Sequence, residues 1–189
     1  MGTVYSQHYR RIIFLLELGT QCKLAERAFM RLEKAAKAWL LHDEYEGETG
    51  APIEILHLAH AFLTYSGVIA KIIFVRNRKG KKLKNRCIDL QDLLEIKTSS
   101  HLAKLDVRNA LEHIDERFDK YLPKPPFSIE PLAVGGLNGR EEKIVIRRFD
   151  PDKLEFWFLK DCIKLKPLFE EIEIVKSRIK PAFEKFTDK

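Results

Sequence analysis

Cysteine is scarce. Cys22, Cys87 and Cys162 are widely spaced, odd in number and form no CxxC pair. That argues against a disulfide framework or a cysteine-based zinc site, and makes a reducing compartment, the cytoplasm, the expected location. Long charge-free apolar runs are also missing. The most apolar stretch, Ile53 to about Val75, is interrupted by Glu54, His57, His60 and Lys71. What remains is too short to span a bilayer, so no membrane association is expected. The opening MGTVYSQHYRR lacks the pattern of a secretory signal. His57 and His60 share a helical face but would bind a metal only if further ligands converged, so hydrogen-bonded histidines are expected, with no metal and no cofactor. Repeats and low-complexity segments are absent.

What is present is helical patterning. With 189 residues and 45% hydrophobic content, the chain can bury one real core. From about Tyr5 to Asp43, Leu18, Cys22, Ala25, Phe29, Leu32, Ala36 and Trp39 recur at spacings of three and four, which predicts one long helix despite Gly19. Pro52 suits the first turn of a second helix, and its nearly all-round apolar surface predicts burial on most sides. A short third helix carries Leu83, Cys87, Leu90 and Leu94. Lys97 to Ser100 supplies turn and cap residues for a fourth, Ser100 to Leu122, whose apolar seam is Val107, Leu111, Ile114, Phe118 and Tyr121.

Pro123, Pro125, Pro126 and Pro131 then read as a stiff linker. Beyond it, Lys143 to Phe149 and Leu154 to Leu159 alternate like strands about a turn at Asp150–Lys153, and a last helix is expected to stop at Pro181. The expected fold is mainly α: a four-to-five-helix up-down bundle over residues 1–122, a linker over 123–142, and a small C-terminal β-hairpin plus helix annex over 143–189.

Charge is concentrated rather than spread. Formal net charge is +6, yet seven of the eleven residues from Arg76 to Arg86 are basic: Arg76, Arg78, Lys79, Lys81, Lys82, Lys84 and Arg86. Such a run suits phosphate-backbone contact with RNA. It contains no aromatic residue, so contact indifferent to sequence, without base stacking, is expected.

The stretch with chemical content is Leu105 to Arg117, LDVRNALEHIDER. On a regular helix Arg108 and His113 lie roughly 140° apart and about 7.5 Å along the axis. Asn109 and His113 share a face. One chain brings the arginine and histidine together only by a long reach or a distorted helix, whereas a two-fold dimer lets the same patch meet itself. Histidine can carry protons in either direction near neutral pH, and arginine can grip two phosphate oxygens. Glu112 lies four residues from Arg108 and can tune it.

RNALEH followed by DER resembles the signature of the HEPN superfamily: an arginine, a polar residue, then a histidine. The resemblance spans roughly residues 5–122. It implies a dimeric helical bundle and a metal-independent endoribonuclease. Arg108 would stabilise the phosphate, His113 would act as general acid and base, and Asn109 would be a positioning residue, donating to the phosphate or orienting the imidazole. The chain would serve as a toxin or defence effector, restrained by an antitoxin or operon partner. The superfamily also holds members without activity, which implies the alternative of a non-catalytic RNA- or protein-binding module.

Overall fold

Leu15, Leu18, Cys22, Ala25, Phe29, Leu32 and Ala36 alternate spacings of three and four, and all are buried along α1 (Gly2–Leu41) in the computed structural model. That model describes residues 2–41, 50–74, 81–96, 101–104, 114–121, 128–135 and 143–187. The helix runs uninterrupted through Gly19, where an added Cβ would meet nothing within 4 Å. Glycine in a helix interior costs roughly 0.5–1 kcal/mol relative to alanine. Gly19→Ala is therefore expected to raise unfolding free energy by about that amount in urea. A lower midpoint would contradict the open surroundings.

The second helix, α2 (Gly50–Ile73), buries side chains on several sides, among them Ile55, Leu58, Phe62, Leu63, Ile69 and Ile73. Its one fully buried polar residue, Ser66, donates to the carbonyl of Phe62 at 2.7 Å. By length and composition Ala51–Ile73 could cross a membrane, but half of its most apolar window is buried inside the protein. A core helix of a soluble protein has the same composition.

The chain divides into two compact units: Met1–Arg27, Phe62–Lys104 and Pro167–Lys189 form one, Ala28–Ala61 and Leu105–Lys166 the other. Residues 122 and 142 are not boundaries between them. The C-terminal helix groups with the start of α1 rather than with the strands.

In the first unit, α3 (Lys81–Leu93) is tied to the end of α2. The Cys87 thiol donates to the Ile72 carbonyl at 3.6 Å, and the Gln91 amide donates to the Ile73 carbonyl at 2.9 Å. These are carbonyls that a helix end leaves without intrahelical donors. The far end of α3 closes with Glu95 in the left-handed region (φ 52°) and a bond from Ile96 N to Gln91 O, a Schellman-type stop. Arg178 adds a donor to the Leu94 carbonyl at 2.9 Å.

The expected fourth helix does not begin as a regular helix. Leu102–Lys104 is a 3-10 turn, and the carboxylate of Glu171 accepts from the amides of His101 (2.7 Å) and Leu102 (2.9 Å). A distant glutamate thus caps this turn; the expected local caps at 97–100 lie outside the described residues. The α-helix is described from Ile114 to Tyr121 and is labelled α4.

The last helix, α5 (Leu165–Thr187), continues through Pro181 instead of stopping there. The proline removes one ladder bond, yet Ala182 beyond it is almost fully buried, and packing holds the final turn in register.

The second unit contains the strands. The expected hairpin is the centre of a four-stranded sheet, order β1-β2-β3-β4, from β1 (Ser128–Val134), β2 (Lys143–Asp150), β3 (Glu155–Phe158) and β4 (Asp161–Lys164). The turn at Asp150–Lys153 is as expected: Asp150 Oδ1 accepts from the amides of Asp152 and Lys153 at 3.2 and 3.1 Å, the Asx geometry favoured by aspartate.

β1 lies inside the expected linker and pairs parallel with β2, stepping from Glu130↔Val145 to Leu132↔Arg147 across Pro131. Proline is tolerated because β1 is an edge strand, where an N–H can be spared. Phe149 faces Phe156 across the β2–β3 ladder, and both are fully buried with Phe158. Phe118 of α4 stacks on Phe158 at 6.3 Å, and Arg117 pairs with Asp161 at 2.8 Å. Of the expected seam, Phe118 meets the sheet; Val107 and Leu111 lie outside the described residues.

Candidate nucleic-acid interface

The end of the basic run forms one wall of a groove between α1 and α3, within the first unit. Its volume is about 610 Å³, and Arg10, Arg11 and Phe14 face Asn85, Arg86 and Asp89 across it. Ile13, Leu83 and Leu90 complete an apolar lining. Helical spacing explains the α1 side, since Arg10 and Arg11 stand four and three residues before Phe14 and share its face. On α3, Arg86 and Asp89 are likewise three apart.

The charges are arranged unevenly. Arg11 donates to Asp89 from Nε at 2.6 Å and also from Nη2. This bidentate bond pushes the Arg11 pKa further up, against the opposing effect of burial. Asp89 is thereby engaged. Arg86 lies with its guanidinium carbon 4.6 Å from the Phe14 ring centroid, Nη2 donates to the Cys87 sulfur at 3.7 Å, and Nε is buried without an acceptor. Among the described residues no carboxylate pairs with Arg86, so three arginines face one aspartate and the groove is net positive.

The basic run has no aromatic neighbour in sequence, but the fold supplies Phe14 from 72 residues away. The signal available in the sequence was YRRIIF near the start of α1, two arginines at helical spacing from an aromatic, with Tyr9 and Ile13 left 66% and 46% exposed.

Of the other expected contact residues, Lys84 is exposed on α3, and Lys81 and Lys82 occupy its first turn. Arg76, Arg78 and Lys79 lie outside the described residues, as do all three expected catalytic residues, Arg108, Asn109 and His113. His113 immediately precedes α4 in sequence.

A second cluster, in the sheet-containing unit, joins a histidine to an arginine. His60 packs against Phe156 with ring centroids 5.3 Å apart in a T-shaped arrangement, and its Nε2 is buried with no hydrogen-bond partner among the described residues. Burial lowers its pKa, and the charges of Arg147 and His57 lower it further. Burial also lowers the pKa of Arg147, whose guanidinium carbon is 5.8 Å from the Phe158 ring centroid. Among the described residues no group of three potential ligands is arranged for a metal ion.

The depressed His60 pKa has a consequence for stability. Unfolded chain takes up the proton near the ordinary value of 6.5, while folded chain resists it, so stability is full above that pH and falls as pH drops below it. Urea midpoints should therefore decline from pH 7 to pH 5, with a shallower decline in His60→Gln. An unchanged slope in the variant would assign the acid sensitivity elsewhere.

No protein-family model, no curated protein and no solved structure matches the chain.

Proposed function

We propose that the protein is a cytoplasmic RNA-binding helical protein of HEPN-like up-down bundle type that cleaves RNA without metal as a homodimer. In this reading it acts as a toxin or defence effector held in check by an antitoxin or operon partner. The observation that carries the RNA-binding part is the net-positive α1–α3 groove, placed where the basic run enters α3. Catalysis rests on the sequence pattern of Arg108, Asn109 and His113.

In the proposed reaction His113 takes the 2′-hydroxyl proton or supplies one to the leaving 5′-oxygen. Arg108 neutralises charge gathering on the phosphate, and Asn109 orients it. Attack of the 2′-oxygen on phosphorus breaks the bond to the 5′-oxygen, leaving a 2′,3′-cyclic phosphate and a 5′-hydroxyl.

The groove is built from residues other than that set, which favours a second reading, a module that binds RNA without cutting it. Incubating purified protein with a labelled single-stranded RNA in EDTA tests both. Cleavage supports the nuclease, and binding to intact RNA, weakening steeply with salt, leaves the module. Absence of both contradicts RNA recognition.

A further inference from the structure

The groove's walls are more specific than electrostatic attraction to phosphate requires. Inorganic phosphate uses charge alone, yet much of this lining is apolar: Ile13, Phe14, Leu83 and Leu90. The volume of about 610 Å³ falls within the roughly 300–1,000 Å³ of small-molecule sites, larger than a lone phosphate needs. The Arg86 guanidinium carbon lies 4.6 Å from the Phe14 ring centroid, which holds the cation beside the ring, and among the described residues no carboxylate pairs with it. A planar cation held in this way is a platform on which an unstacked base can lie. Arg10, exposed on the neighbouring turn of the opposite wall, suits the phosphate. Asn85 carries an amide with one donor side and one acceptor side, the complement of the N6–N7 edge of adenine.

We propose that the α1–α3 groove is a nucleotide subsite. It accepts one unpaired adenine nucleotide of single-stranded RNA, with the base against the Arg86–Phe14 stack and the phosphate at Arg10. The subsite deepens the RNA reading above and rests on it for its biological substrate, while binding of the nucleotide itself is independent of Arg108 and His113. The Arg11–Asp89 pair fixes the distance between the two walls.

Isothermal titration of the full chain with adenosine 5′-monophosphate, adenosine and inorganic phosphate tests it. The monophosphate should bind more tightly than either of the other two. Arg86→Lys keeps the charge and loses the plane, and Phe14→Leu keeps apolar bulk and loses the ring. Each should weaken the monophosphate by about tenfold, the scale of one base stack, with helical circular dichroism unchanged. Phosphate binding as tight as the nucleotide, or nucleotide affinity untouched in Arg86→Lys, overturns the subsite, as does no nucleotide binding. Nucleotide binding in a protein that leaves RNA intact would remove the nuclease reading and keep the subsite. RNA cleavage without nucleotide binding would do the reverse.

Discussion

His113→Ala is expected to reduce RNA cleavage in EDTA by about 10²–10⁴-fold, the usual contribution of a positioned acid–base group. The loss should fall on turnover and leave RNA affinity near wild type, because the basic helix and groove are untouched. Arg108→Lys separates charge from shape: a lysine keeps the cation but cannot bridge two phosphate oxygens as a guanidinium does, so partial activity should remain. The proposed two-fold site adds a sharper expectation. Arg108→Ala and His113→Ala chains, each inactive alone, should recover some cleavage when mixed, since a mixed dimer contains one intact arginine and one intact histidine. A His113→Ala protein that cuts as well as wild type would remove this residue from the chemistry.

Phe156→Ala is expected to cost about 3–5 kcal/mol of folding free energy, the range for truncating a fully buried phenylalanine. The side chain is fully buried on an inner strand, opposite Phe149 in register and against the edge of His60. Ile129, on the edge strand and 43% exposed, supplies the contrast, and its truncation should shift the urea midpoint much less. Equal shifts at the two positions would mean that the sheet face is not the core of its unit.

Local pattern and distant contact divide what the sequence reveals. The first helix was readable because its buried stripe repeats with little variation, and the β2–β3 hairpin because strand alternation flanks an aspartate-led turn. β1 was not, because prolines at 123, 125, 126 and 131 outweigh a seven-residue strand unless its place on the sheet edge is known. Pro181 misled in the same way: the helix beyond it is held by burial of Ala182, which no local propensity records. Glu171 capping a turn 69 residues upstream is invisible to any reading of neighbours.

The candidate interface followed the same division. Its basic half was evident as a run of like charge, whereas the aromatic half had to be brought by the fold from the far end of the chain. His60 is the converse case. Its spacing from His57 was plain, but that its Nε2 would be sealed against a phenylalanine depended on β3.

The central claim is that single-stranded RNA lies along α3 and enters the groove against α1. Photo-crosslinking an 8-azidoadenosine-substituted single-stranded RNA to the intact protein, then mapping the modified peptides, tests it most directly. The account predicts adducts in the peptides containing Phe14 and Arg86, lost on raising salt. Adducts confined to the strands of the second unit, or none at low salt, would contradict it.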